Sequence, residues 1–167
     1  MPSSRVAIIG AGVSALLLEL VANGYNSLDA VDVSRAALDQ LRERLGPDLE
    51  AVRFVCSDVR DLHLARQVDV WHDRAVFHFL IETEDQLLYK QAVNETVALG
   101  GHLVIATFAV GGPDHCSGLP VVQRSADELA ELFSEEFELV EYCTRDHVTP
   151  WGVAQPFTHT LLTRRAS

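Results

Sequence analysis

Apolar positions along the chain switch between two periods. Short β-rich runs at Val6–Ile9, Leu28–Asp32, Val52–Cys56, Val68–Trp71 and His102–Phe108 read as buried strands. The intervening segments carry helical spacing. A helix is expected over Val13–Asn23, apolar on nearly all sides, with Gly24 as its stop. Ser34 caps a second helix, in which Leu38, Leu41 and Leu45 recur on one face and Arg35, Asp39, Arg42 and Glu43 lie outside; Gly46-Pro47 ends it. Arg60–Gln67 reads as a short irregular or helical crossover. The fourth strand ends in His72-Asp73.

Thr83-Glu84-Asp85-Gln86 has capping-box form and predicts a helix running to Leu99, stopped by Gly100-Gly101. Gly111–Pro120 reads as a loop. Ser125-Ala126-Asp127-Glu128 is a second capping box, opening a helix to about Phe133. Phe137–Cys143 alternates, with Phe137, Leu139 and Val140 set against Glu138 and Glu141, and Phe157–Thr163 is a seventh strand. Thr144–Pro156 contains Pro150, Gly152 and Pro156 and has no helical period, so the last two strands are expected to be antiparallel. The expectation is an α/β fold: a Rossmann-like sheet of about seven strands, mainly parallel with a terminal antiparallel pair, and helices on both faces.

A length of 167 residues suits one domain, 1–167, with a buried core. The formal net charge of −11 argues against a nucleic-acid surface and disfavours anionic membranes. Cys56, Cys116 and Cys143 are odd in number and far apart, and no metal-ligand spacing appears, so neither a metal site nor a disulfide is expected. A reducing, cytoplasmic location fits that usage, and no apolar run approaches a membrane span.

Gly10 and Gly12 follow the first strand, where open parallel sheets bind ligands. Asp32 ends the second strand and can accept hydrogen bonds from a ribose diol; Asp58 follows the third and can hold an adenine amino group, with Val59 over the ring. By itself Gly10-x-Gly12-x-x-Ala15 fits the dinucleotide fingerprint that ends in alanine. It leaves open a ligand-free turn, a nicotinamide or flavin oxidoreductase, a non-catalytic cofactor-binding module, and other nucleotide cofactors.

Further motifs narrow the choice. These are Trp71-His72-Asp73-Arg74-Ala75-Val76-Phe77-His78-Phe79-Leu80, Gly100-Gly101-His102-Leu103-Val104-Ile105-Ala106-Thr107-Phe108, Cys116-Ser117-Gly118-Leu119-Pro120 and His147-Val148-Thr149-Pro150-Trp151-Gly152. With the glycine turn and Gly24-Tyr25, they resemble a bacterial group of class I S-adenosylmethionine-dependent methyltransferases over nearly the whole chain. The resemblance implies S-adenosylmethionine as cofactor, held by Gly10, Gly12, Asp32 and Asp58. The full expected set is Gly10, Ala11, Gly12, Asp32, Val33, Asp58 and Val59. The terminal antiparallel pair and the lack of room for a second substrate domain point the same way. The acceptor is expected to be a small molecule or a protein side chain such as lysine.

Methyl transfer needs a base only if the acceptor must lose a proton. His72, Asp73 and His78 cluster at the end of the fourth strand and are the candidate catalytic residues, the histidines as bases. Asp73 has a second reading as a helix cap and His78 as a packed side chain. The family pattern departs at Ile8, where an acid is usual, and at the front, where members carry some tens of residues before the first strand. An apolar first helix and an uncovered cofactor predict self-association, with weak cofactor binding until a partner or second copy covers the site.

Overall fold

The structure, a computed structural model, describes residues 2–149 and 151–166, and of Pro47, Asp48 and Leu49 the backbone alone. Pro150, part of one sequence motif, lies outside the described residues. The chain forms β1 (Val6–Ile9), α1 (Ala15–Ala22), β2 (Leu28–Asp32), α2 (Arg35–Leu45), β3 (Val52–Cys56), β4 (Val68–Arg74), α3 (Thr83–Thr96), β5 (Val97–Phe108), β6 (His115–Cys116), β7 (Leu119–Pro120), α4 (Ala126–Leu132), β8 (Phe137–Val148) and β9 (Ala154–Arg164). Seven strands make one sheet in the order β3-β2-β1-β4-β5-β9-β8, and β6 and β7 form a separate small hairpin. The first five strands of that order run parallel; β9 pairs antiparallel with both β5 and β8. This is the Rossmann-like arrangement expected from the sequence. Among the described residues no helix is long and apolar enough to cross a membrane.

The core has two layers because strand side chains alternate between faces. On one face Ala7, Ile9, Val31, Trp71, Leu103 and Ile105 pack with Tyr89 and Val93 of α3 and Leu129 of α4. On the other, Val6, Ile8, Leu28 and Ala30 pack with Leu17 of α1 and Leu38, Leu41 and Leu45 of α2. Ser14 and Ser34 cap α1 and α2 by accepting from Leu17 N and Ala37 N, and Ser125 with Glu128 completes the capping box of α4.

Several boundaries differ from the sequence reading. Helix α1 is eight residues long, shorter than Val13–Asn23, because the glycine turn extends to the Ser14 cap. Its Leu18, Leu20 and Val21 are half-buried against the second core layer, so the helix presents no fully exposed leucine stripe. Thr83 is the first helical residue of α3, not its cap; Glu82 occupies the cap position without a side-chain hydrogen bond, and the Gln86 amide reaches back to the Leu80 carbonyl. The same helix ends at Thr96, short of Leu99. Val97 already pairs with Val68, and the register then jumps to Val70–His102, so Ala98–Gly101 bulge out of β5. Gly101 is needed there, since a Cβ would lie 2.8 Å from the Ala98 carbonyl oxygen and 3.0 Å from that of Asp69. Strands β8 and β9 outrun the predicted Phe137–Cys143 and Phe157–Thr163. A register shift between Leu139 and Glu141 turns Val140 out to solvent, against its expected place on the inner face. The Gly111–Pro120 loop holds the β6–β7 hairpin, whose turn residues Ser117 and Gly118 both have positive φ.

Strand β4 runs three residues past Trp71, so His72 and Asp73 lie inside the sheet. Asp73 is fully buried. Its Oδ1 accepts from Val76 N (2.9 Å), and its Oδ2 accepts from Phe77 N (3.1 Å) and from the Tyr89 hydroxyl (2.6 Å). The Tyr89 oxygen accepts in turn from Trp71 Nε1 at 3.0 Å. One carboxylate thus ties the end of β4 to the following turn and to the middle of α3. Tyr89→Phe leaves both the Trp71 indole N–H and one Asp73 oxygen short of a partner. It is expected to cost about 1–3 kcal/mol, measured by urea unfolding; an unchanged midpoint would mean that the triad adds nothing to the fold.

Candidate functional site

The strand order reverses between β1 and β4, and a cavity of about 540 Å³ opens at the carboxyl ends of the strands there. Gly10 and Ile9 from β1 line it, with Asp32 and Val33 after β2 and Ser57, Asp58, Val59 and Arg60 after β3. Arg74, Ala75 and Val76 close it from β4, with Phe79, Leu80, Asp85 and Leu119 at the side. Five of the seven residues expected at the cofactor site therefore meet in one cavity: Gly10, Asp32, Val33, Asp58 and Val59.

The other two serve it from outside. Ala11 is buried in the second core layer, its N–H donating to the Val31 carbonyl at 2.9 Å. The Gly12 N–H donates to Asp32 Oδ2 at 2.7 Å, while Ser34 N donates to Asp32 Oδ1 at 2.7 Å. Two backbone amides thus orient the carboxylate and leave part of each oxygen free to accept further hydrogen bonds. Gly10 has a φ of +65°, and a Cβ there would stand 2.3 Å from Val76 Cγ2. The glycine is demanded both by its backbone and by the β4 turn that presses on it.

Asp58 is engaged by Arg60, whose N and Nε both donate to Oδ1 at 2.9 Å and whose Nη2 donates to Oδ2 at 2.7 Å. The remaining guanidinium nitrogen, Nη1, donates to Asp85 Oδ1 at 2.9 Å, in the first turn of α3. Arg60 therefore clamps the β3 end to α3 across the cavity wall. It holds the Asp58 carboxyl below the usual carboxylate range and raises its own pKa. The Asp58-x-Arg60 spacing was the available signal for this residue, but nothing in the sequence marks Asp85 as its second partner. Arg74, Ala75 and Leu119 were also missed. Ala75 has a φ of +69° and turns the chain from β4 into the cavity wall, its N–H donating to the Ala106 carbonyl.

None of the three expected catalytic residues lines the cavity. Asp73 points to the opposite side of β4 from Arg74 and spends its oxygens on the turn and Tyr89; burial lifts its pKa to about 6 against the pull of those hydrogen bonds. His78 is fully buried in a 3-10 turn (Phe77–Phe79), its ring 4.5 Å from that of Phe79 and 4.9 Å from that of Phe108. Neither of its ring nitrogens has a hydrogen-bond partner among the described residues, and burial holds its pKa down to about 4. His72 is half-buried within β4, paired to Ile8 and Val104, with its pKa lowered by burial and then by Arg74 and His159. Strand alternation and helical packing, not proximity in sequence, decide where these side chains go. Among the described residues there is also no cluster of His, Cys, Asp and Glu suited to a metal ion.

Residues 6–101 match the family described as methyltransferase domain. That span is more than half of the chain, which belongs to this family and is a methyltransferase by family and fold. Among solved structures it is similar to a SAM-dependent methyltransferase from Methanosarcina mazei, at 14% identity and TM-score 0.80, covering 100% of this chain and 95% of that one. It is similar to the 1,6-didemethyltoxoflavin-N1-methyltransferase of Burkholderia thailandensis, crystallised with 1,6-didemethyltoxoflavin and S-adenosylhomocysteine, at 21% identity and TM-score 0.76, covering 98% and 72%. The N-methyltransferase NodS of Bradyrhizobium japonicum in complex with S-adenosylhomocysteine is also similar, at 16% identity and TM-score 0.74, covering 97% and 79%. A comparison with curated proteins gives no match.

Two expectations follow from this geometry. Gly10→Ala should destabilise the fold by about 1–2 kcal/mol from its left-handed backbone alone, with a further cost from Val76. In a Val76→Ala background the second cost should disappear, which a double-mutant cycle in urea measures; strictly additive effects would mean that the two residues do not press on each other. The second concerns His78. The unfolded imidazole takes up its proton near pH 6.5 and the folded one only near 4, so the unfolded state binds more protons between those values and stability falls as the pH drops through them. Asp73, with its raised pKa, acts in the opposite sense and is common to parent and variant. His78→Phe should therefore lose less stability than the parent between pH 7 and pH 4.5, and equal losses would place His78 in a solvated setting.

Proposed function

We propose that the chain transfers a methyl group from S-adenosylmethionine to a small-molecule acceptor, and that residues 1–167 act as one methyltransferase-like domain. One observation carries this: in a methyltransferase-domain chain, Gly10, Asp32 and Asp58 converge from three consecutive strand ends on one cavity at the order reversal. The residues present fit the cofactor. The Asp32 carboxylate is pre-oriented with capacity to spare for a ribose diol, and Val59 and Leu80 offer an apolar wall to an adenine ring, with Asp58 at its edge. Gly10 lets a ligand approach the backbone closely. Gly12 acts through Asp32. The relatives crystallised with S-adenosylhomocysteine share the fold, which supports the same use of the same sheet end.

When bound, S-adenosylmethionine supplies an activated methyl group on a sulfonium and a neutral thioether as leaving group. What the protein adds is position. The Asp73 anchor holds the β4 turn, the turn places Arg74, Ala75 and Val76 at the cavity, and the Arg60 clamp fixes the wall opposite. Among the described residues no histidine or cysteine lines the cavity. Its three carboxylates are engaged, Asp32 by backbone amides and Asp58 and Asp85 by Arg60.

Calorimetry is expected to show S-adenosylhomocysteine binding and no binding of NADH or FAD. Asp32→Ala should weaken S-adenosylhomocysteine by about 1.5–3 kcal/mol, the worth of hydrogen bonds to a charged group, with an unchanged circular dichroism spectrum. NADH binding without S-adenosylhomocysteine binding would overturn the reading, and an unaltered affinity in the variant would put the ribose elsewhere.

A further inference from the structure

The chain carries 24 acidic and 13 Lys or Arg residues, yet Arg74 at the cavity wall shares a stretch of the sheet with further basic groups. The register sets Arg74 of β4 and His159 of β9 on either side of Ala106 of β5, a small residue over which two long side chains can converge. Arg145 of β8 is paired to Phe157, two positions before His159 on β9. These groups feel one another electrostatically: the His159 pKa is lowered by burial and then by Arg145 and Arg74, and that of His72 by burial, Arg74 and His159. The Arg74 guanidinium also lies 6.0 Å from the centroid of the Phe157 ring. Among the described residues no carboxylate lies within ion-pair distance of Arg74, Arg145 or His159. The Arg74 and Arg145 guanidiniums set about a neutral His159 imidazole without a counter-ion cost energy, and a bound anion relieves that cost.

Arg74 is the link to the chemistry, since it lines the cavity while belonging to this cluster. We propose that Arg74, Arg145 and His159 form an anion-binding subsite and that the methyl acceptor is a small organic anion bearing a carboxylate or comparable group, docked there with its nucleophile facing the cavity. The inference rests on the cofactor reading above and adds the class of acceptor. It disfavours a lysine side chain, whose charge the cluster would repel. It also accounts for a cavity without a free base: a thiolate, for example, attacks the methyl carbon with its own lone pair as the carbon–sulfonium bond breaks, the electron pair passes to the leaving thioether, and no proton has to move. The hairpin residue Leu119 walls the cavity near this side and would cover the apolar part of such an acceptor.

The test uses the protein saturated with S-adenosylhomocysteine and matched probes that differ in one charge: 2-mercaptobenzoate against 2-mercaptobenzamide, and 2-hydroxybenzoate against 2-hydroxybenzamide. Calorimetry should show at least one carboxylate binding tenfold or more tightly than its amide. Arg74→Gln should bring that ratio within threefold, and Arg145→Gln, which lies outside the cavity lining, should reduce it while keeping S-adenosylhomocysteine affinity within threefold. Failure of S-adenosylhomocysteine to bind the parent protein would sink the cofactor reading itself. With that binding intact, equal affinities for acid and amide, or no binding of either acid, would overturn the anion subsite. Loss of S-adenosylhomocysteine affinity in Arg74→Gln would assign the arginine to the methionine carboxylate and overturn it too.

Discussion

The buried carboxylate of Asp73 is the constraint on which the working end of this molecule depends. A carboxylate without solvent is tolerated only if its oxygens are satisfied, and here three donors from two places meet that need: two amides of the turn after β4 and the hydroxyl of Tyr89 in α3. The donors cannot be supplied unless the turn folds tightly against the strand end. That tightness is what puts Ala75 in a left-handed conformation and Val76 against Gly10. The Trp71–Tyr89–Asp73 chain then carries the same demand into the core, where Trp71 and Tyr89 pack edge to face and Phe77 lies tilted against Tyr89 and Phe133. A residue that looked catalytic by its position is better understood as the peg that fixes the cavity wall.

Around that peg, each neighbouring strand end contributes one function through a short-range device. After β1 the device is a glycine, because the β4 turn leaves no room for a side chain. After β2 it is an acid oriented by two backbone amides, and after β3 an acid in an arginine clamp that also grips α3. The result is asymmetric in charge. The β2 and β3 side of the cavity presents carboxylates, suited to hydroxyl and amino donors, while the β4 side presents Arg74.

Much of the fold was legible because its signals are local. The strands β1, β2 and β3 and the helices capped by Ser34 and Ser125 fall where the apolar period and the capping residues put them. Where the reading slipped, a tertiary partner won. Gly100-Gly101 looked like a helix stop, but Val97 had already been recruited to pair with Val68, and the glycines serve a bulge. Thr83 looked like a cap, yet the chain enters α3 one residue earlier, with Gln86 holding the Leu80 carbonyl. The alternation of β8 predicted an inward Val140 and could not register a bulge in its pairing with β9.

The sequence by itself determined the doubly covered sheet, the antiparallel closing pair and the acids and glycine that meet in the cavity at the strand ends. Those depend on periodicity and on residues adjacent to strand termini, which neighbours in sequence define. Only the tertiary structure decided which chemistry-bearing side chains share a space. His72, Asp73 and His78 are close in sequence, yet the first two face opposite sides of β4 and the third is packed in a buried 3-10 turn, because alternate strand residues face opposite ways. Arg60 and Asp85 are far apart in sequence and meet only because the fold brings the end of β3 and α3 together, and register alone sets Arg74 and His159 on either side of Ala106.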